Sequence, residues 1–295
     1  MKYINKYLQH MYIVRLLYAH FIYSVVIVLC LLVAPMGGCT QDKADGNGTP
    51  QSRQAAIPMV PTPQQLVETM LDMAKVTSSD YVIDLGSGDG RIVIAAAKRG
   101  AMALGIEHDP GLVEFSRRVA IKERVAAKAA FKEADVFESE FSKATVITLF
   151  LLPDMLLRLR PKILDMKPGT RVVSNTFTMA DWEPDQTTDT LAGRQSEQSM
   201  YIWGAPSDWH IVHLWIIPAK VDGIWRLDDG HINFTQNFQY ITGTITTGKK
   251  ETKLTGKLVG DAISFFAGGT QYIGTVSGDT ILGIRAGDNA WKATR

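Results

Sequence analysis

Between residues 64 and 175, short apolar runs alternate with amphipathic stretches, which predicts strands buried on both faces and separated by helices. Tyr81–Leu85, Ala103–Glu107, Phe131–Ala134, Thr145–Leu151 and Thr170–Ser174 read as five strands. Leu66, Met70, Met73 and Ala74 share one helical face, with Val67 and Leu71 widening the stripe. Residues 91–99, 111–124 and 155–164 read as further helices. Thr62-Pro63 predicts a helix cap with proline in the first turn. This spacing gives right-handed crossovers and a parallel sheet, with Met200–Trp203 and Ile211–Ile217 expected as an antiparallel end. After Asp222-Gly223 the runs shorten and glycines divide them. Ile232, Phe234, Phe238 and Tyr240 fall on one strand face, interrupted by Gln236. Gly256–Ile263 returns eighteen residues on as Gly274–Ile281, each copy reading as strand, Gly-Asp turn, strand. The expectation is about six antiparallel strands in a sandwich or partial barrel, with Trp225 and Trp291 as plugs. The fold class is therefore α/β, an open sheet over residues 57–220 followed by a small β-rich meander or partial barrel over 221–295.

The first residues follow neither period. Lys2, Lys6 and Arg15 precede Leu16–Met36, twenty-one residues with no Lys, Arg, Asp or Glu. That length suffices to span a bilayer as a helix. It runs into Met36-Gly37-Gly38-Cys39, which resembles a bacterial lipoprotein processing site. Residues 1–39 thus read as a signal or lipoprotein leader or a membrane anchor, and the polar residues 40–56 as a flexible tether. The basic flank predicts an inside N-terminus and a lipid-anchored body facing the periplasm. The cytoplasmic face of the inner membrane is the alternative. Of 31 basic and 30 acidic residues the leader holds three basic and no acidic ones, leaving the body at net charge −2. Bulk electrostatics therefore give no footprint for nucleic acid. Cys30 and Cys39 both belong to the leader, which excludes disulfide and thiolate chemistry from the body. His210 and His213, three apart in a strand pattern, face opposite ways and make no metal pair.

The candidate chemistry lies in residues 82–90, Val-Ile-Asp-Leu-Gly-Ser-Gly-Asp-Gly, where an apolar run meets an acid and three alternating glycines. The chain must turn sharply at Gly86, and side chains at Gly88 and Gly90 would obstruct the ligand or the next helix. Amides at the helix start offer hydrogen bonds to a carboxylate or ribose region. A dinucleotide fingerprint needs its third glycine three positions after the second, where this chain has Arg91. Asp84, ahead of the loop, would crowd a pyrophosphate but suits the cationic methionine moiety of S-adenosylmethionine. Glu107 ends the second strand, where a carboxylate accepts from both ribose hydroxyls. Asp135 follows the third strand, placed to accept from the adenine amino group with Val136 or Phe137 against the ring. Asp109-Pro110 reads as a helix cap. The expected cofactor-binding residues are Asp84, Gly86, Ser87, Gly88, Gly90, Glu107, Asp135 and Val136. No spacing demands a general base, so no catalytic residue is assigned. Asp181-Trp182-Glu183, after the fifth strand, is either a substrate contact or a loop with one packed tryptophan.

Val60-Pro-Thr-Pro63, Asp84 through Ala97 and Gly105-Ile-Glu107 together resemble the class I methyltransferases. More narrowly they resemble the group related to protein-lysine methyltransferases, including the enzymes acting on the ATP synthase c subunit, similar in outline to the Dot1-like enzymes. The resemblance covers roughly residues 57–185 and implies a Rossmann-like sheet, S-adenosylmethionine as cofactor and transfer of a methyl group. It also implies that Thr148 to Pro153 border the transfer position. Enzymes methylating nucleobases or glutamine often carry Asn/Asp-Pro-Pro-Tyr/Phe after the fourth strand; Leu149-Phe-Leu-Leu-Pro-Asp154 departs from that pattern. The expected acceptor is a protein, through a lysine amine, or a small molecule. The alternative is a non-catalytic cofactor-binding or structural lipoprotein. Oligomeric state is not readable from the chain.

Overall fold

The computed structural model describes residues 61–190, 210–285 and 289–295. The expected leader, the tether and the Met200–Trp203 strand lie outside the described residues. Among the described residues no helix is long and apolar enough to cross a membrane.

In chain order the first part runs α1 (Gln64–Met73), β1 (Tyr81–Leu85), α2 (Arg91–Lys98), β2 (Met102–Glu107), α3 (Pro110–Lys122) and β3 (Ala129–Glu133). It continues with β4 (Val146–Leu149), α4 (Pro153–Leu164), β5 (Arg171–Asn175), β6 (Gln186–Asp189) and β7 (Ile211–Ile216). The strands form one seven-stranded sheet ordered β3-β2-β1-β4-β5-β7-β6. β1 to β5 run parallel, β7 runs antiparallel to β5, and β6 pairs antiparallel with β7 at the edge. Successive strand residues supply opposite cores. Val82 and Val146 pack under α1, α2 and α3, while Ile83, Leu85 and Ile147 pack on the side of α4. A continuous apolar run is what a strand covered on both faces requires.

Two local expectations are corrected. Pro63, not Thr62, holds the N-cap position of α1, and no side chain caps the helix. The extended ψ of Pro63 starts the helix one residue later, and its carbonyl accepts from Leu66 and Val67. β4 ends at Leu149, so Phe150 and Leu151 have already left the sheet. The polar strand β6 (Gln-Thr-Thr-Asp) carries no apolar alternation, because as an edge strand it buries neither face.

The last part is a closed antiparallel barrel of eight strands: β8 (Gly223–Leu227), β9 (Gly230–Asn237), β10 (Tyr240–Thr247), β11 (Lys250–Val259), β12 (Ala262–Ala267), β13 (Thr270–Ser277), β14 (Thr280–Arg285) and β15 (Asn289–Thr294). β15 pairs back onto β8 and removes the open edges. The two sequence copies form β11–β12 and β13–β14, each joined through a glycine turn. Glycines on inward positions hide the alternation that would have revealed eight strands. They make room for the plug. Trp291 lies opposite Gly283, which in turn pairs with Gly274, and its indole N–H donates to the carbonyls of Ile273 and Ile284 at 3.2 Å. A Cβ on Gly283 would stand 2.5 Å from that nitrogen. Trp225 is fully buried. Phe238 and Tyr240 do not share the inward face of Ile232 and Phe234, since Phe238 sits in the β9–β10 turn at φ 52° and Tyr240 is exposed.

Sheet and barrel lie in one compact unit, Pro58–Arg295. Trp182 is completely buried at their joint, stacked on Phe238 with ring centroids 5.7 Å apart. Its indole N–H donates to Gln239 Oε1 (2.9 Å), and its carbonyl accepts from the Trp215 indole (2.9 Å). Gln239 donates to the Glu183 carbonyl, and Lys257 pairs with Asp185 at 2.7 Å. Of the two readings of Asp181-Trp182-Glu183, the packed tryptophan is the one observed.

Candidate functional site

Strand order reverses on either side of β1, between β2 and β4, and ligands of open α/β sheets bind at the carboxyl ends beside such a switch. Five buried polar side chains gather there: Asp84 is the penultimate residue of β1, Glu107 ends β2, Thr148 lies on β4, and Ser174 and Asn175 end β5. The glycine loop rises between them. Gly86, Gly88 and Gly90 all have positive φ. A Cβ at Gly90 would come within 2.8 Å of Phe131 on β3 and Ser116 on α3, so this glycine admits a neighbouring strand and helix rather than a ligand. At Gly86 a Cβ would meet Leu151 at 2.7 Å.

The loop amides are less free than the sequence suggests. Gly86 and Ser87 donate to the Ile106 carbonyl, Gly90 to that of Ser87, and Arg91 to the Asp89 carboxylate. Gly88 N–H donates to Glu107 Oε2 at 2.9 Å, while Oε1 accepts from the amides of His108 (2.9 Å) and Asp109 (3.1 Å). Glu107 therefore points into the loop and organises it; His108 Nδ1 also lies 3.0 Å from Oε1, so the unused lone pair is on Oε2. Asp109 caps α3 as expected, accepting from Gly111 and Leu112.

Asp84 is buried and accepts from the Thr148 hydroxyl at 2.6 Å. Burial is the largest influence and pushes its pKa from 3.8 to about 7, against the Thr148 hydrogen bond and with help from the charges of Glu107 and Asp89. In the unfolded chain this carboxyl loses its proton near pH 4, but in the fold it keeps the proton until about pH 7. Its contribution to stability is thus full below pH 4 and is lost as pH rises towards 7, on the order of 4 kcal/mol across that window. Asp84→Asn is expected to remove this descent. Chemical unfolding of both proteins at pH 4.5 and 7.5, read as a difference, tests it; parallel pH profiles would refute the assignment.

The eight residues singled out from the sequence divide. Asp84, Gly86, Ser87, Gly88, Gly90 and Glu107 converge at the ends of β1 and β2. Ser87 Oγ is buried without a hydrogen-bond partner. Asp135 lies at the neighbouring end of β3, exposed, its Oδ1 accepting from the Phe137 amide. Val136 is buried in the core on the α4 side. At the end of β4, Phe150 stacks on Phe177 (6.3 Å) and Leu152 is 45% exposed. A cavity of about 550 Å³ lined by Asp89, Arg91, Ile94, Lys98, Phe115 and Glu123 opens instead on the helical face, away from the strand ends.

Sequence reasoning passed over Asn175 and Thr176. Asn175 is fully buried with Nδ2 unpartnered, and the β-branched Thr176 adopts φ 66°, a strained conformation. His213 braces this turn. Burial holds its imidazole below 6.5, and the neutral ring donates through Nε2 to the Thr176 carbonyl (3.3 Å) while Nδ1 accepts from Thr187 (2.9 Å). The available signal was Ser174-Asn175, two polar residues ending an apolar run as Asp84 and Glu107 do.

The family model described as the ANTKMT methyltransferase domain matches residues 84–186. A protein-lysine N-methyltransferase of Saccharolobus islandicus (strain REY15A) is 41% identical over 133 residues, covering 44% of this chain and 83% of that protein. The human lysine N-methyltransferase of the ATP synthase c subunit is 38% identical over 141 residues, covering 48% of this chain; the chain spans 60% of that protein's length. Among solved structures, an RNA methyltransferase from Salinibacter ruber in complex with S-adenosyl-L-homocysteine has 41% identity and a TM-score of 0.48, covering 55% of this chain and 96% of the other. The chain belongs to the S-adenosylmethionine-dependent methyltransferases, in the family of the ANTKMT methyltransferase domain and the protein-lysine N-methyltransferases. It is an enzyme that takes S-adenosylmethionine as cofactor and transfers its methyl group. The family match ends at residue 186, before the barrel begins at Gly223.

Proposed function

We propose that the methyl acceptor is the side-chain amine of a protein lysine. The carrying observation is that relatives at 41% and 38% identity are both lysine N-methyltransferases. An apolar mouth of Phe150, Leu152 and Phe177 supports it. A lysine attacks only as the neutral amine, and apolar surroundings disfavour the ammonium form. When bound, S-adenosylmethionine supplies a methyl group on a positively charged sulfur. Asp84, Gly86, Ser87 and Gly88 hold the methionine end of the cofactor in this reading, while Gly90 lets β3 and α3 approach the loop. Glu107 accepts from a ribose hydroxyl through Oε2, and Asp135 and Val136 take the adenine. The buried, unpartnered Ser87 hydroxyl and the Glu107 carboxylate at the loop fit a cationic, hydroxyl-rich ligand. Labelled methyl transfer from S-adenosylmethionine into cell lysate, followed by acid hydrolysis, is expected to yield methyllysine. Label confined to RNA, lipid or small molecules would refute the lysine reading.

The leader is proposed to anchor the chain as a lipoprotein, with the body facing the periplasm. The support is the uncharged run Leu16–Met36, its basic flank and Cys39. Membrane fractionation followed by external protease should degrade the body in intact spheroplasts. Protection until the inner membrane is broken would place it on the cytoplasmic face instead.

A further inference from the structure

The outside of the barrel has two unlike walls. On β9 and β10 the outward positions include His231, Asn233, Thr235, Thr242, Thr244 and Thr246, polar and uncharged or weakly basic. On β12, β13 and β14 they include Phe266, Ile273, Leu282 and Ile284, exposed to 53%, 46%, 58% and 51%. Register makes these one patch. Ile273 lies directly opposite Ile284, Leu282 stands two residues before Ile284 on the same face, and Phe266 is diagonal to Ile273. No acidic residue occupies an outward strand position on β12 to β15 among the described residues, and Lys292 on β15 borders the patch with a positive charge. An aggregate of exposed apolar side chains on one wall marks an interaction surface.

We propose that this wall, β12 to β14, lies against a lipid bilayer. The inference rests on the proposed anchor and goes beyond it by assigning the second contact and the orientation it imposes. An uncharged run of twenty-one residues, 16–36, precedes a seventeen-residue segment, 40–56, with no large apolar side chain. A random coil of seventeen residues has a root-mean-square reach of about 20–25 Å. A body so tethered meets the membrane at high effective concentration, which makes a weak apolar contact sufficient. An apolar face bordered by lysine and free of carboxylates suits an anionic headgroup layer.

The test uses the full chain, reconstituted by detergent removal into vesicles of phosphatidylcholine and phosphatidylglycerol. Hydroxyl-radical footprinting reads side-chain exposure residue by residue. Oxidation of Phe266, Ile273, Leu282 and Ile284 should fall about fivefold relative to the detergent-solubilised chain at matched dilution, with Tyr240 and Ile224 unchanged. An Ile273→Glu, Ile284→Glu double variant should stay on the vesicles but regain oxidation at Phe266 and Leu282. A chain that sediments with its wall fully oxidised overturns the bilayer contact and leaves the anchor standing. Protection that depends on protein concentration rather than lipid overturns it in favour of a second copy or another protein. A chain left in the supernatant overturns contact and anchor together.

Discussion

Glu107→Ala is expected to weaken S-adenosylmethionine binding by about a hundredfold, because the side chain organises the loop as well as edging the site. Its two oxygens take hydrogen bonds from the amides of Gly88, His108 and Asp109. Removing them leaves three donors without partners in a largely buried place, each unsatisfied group costing about 1–3 kcal/mol. The loop then loses the tie that holds Gly88 towards β2, and its ordering must be provided by the ligand. Roughly 3 kcal/mol of that ordering is enough for the expected loss. Glu107→Gln keeps one acceptor oxygen but turns an NH₂ group towards an N–H, so it should fall between wild type and alanine. Calorimetric titration checks both variants, with far-ultraviolet circular dichroism confirming the fold. An affinity within about threefold of wild type for the alanine variant would show that Glu107 neither holds the loop nor meets the ligand.

Trp182→Ala is expected to destabilise the protein by roughly 3–5 kcal/mol, the range for a fully buried large aromatic. The indole fills the joint between Trp215 and Phe238, and its N–H satisfies the buried Gln239 side chain. Truncation opens a cavity and strands the Gln239 carbonyl oxygen. The bond from the Trp215 indole to the Trp182 carbonyl survives, so the segment is loosened rather than released. Arg160, bound to the Met179 carbonyl at 2.9 Å and to Asp181, holds the other side. Trp182→Phe restores most of the volume without the N–H and should recover more than half of the loss. Urea unfolding followed by fluorescence of the remaining tryptophans measures both. A loss below about 1 kcal/mol for the alanine variant would mean that the joint carries little of the stability. The turn at Asn175–Phe177 lies only a few residues before this joint, so methyl transfer by Trp182→Ala should also fall.

The parallel strands were legible because burial on both faces forces continuous apolar runs, and their ends were marked by acids and glycines. Asp84, the glycines and Glu107 could be read from linear order, since successive strand ends in a doubly wound sheet bring such residues to one side. Glu107's partner could not, because a carboxylate accepts equally from a loop amide or a ligand hydroxyl and only three-dimensional proximity chooses. Asn175 escaped notice for a related reason. Its chain neighbours give no hint that its Nδ2 would be buried without a partner. Trp182 looked like a candidate contact in a loop, and only the position of Phe238 and Gln239, more than fifty residues away, turned it into core.

The chain's own pattern therefore settled the α/β class, the parallel strands, the class of cofactor and the presence of a glycine-punctuated β segment. These are consequences of local periodicity and of residues that impose backbone conformation wherever they occur. Tertiary structure decided that β15 closes on β8, that Trp291 lies over Gly283, and that Asp84 is buried deeply enough to hold a proton near neutral pH. Closure, cavity filling and desolvation depend on which distant surfaces meet, and no short-range signal in the sequence encodes that meeting.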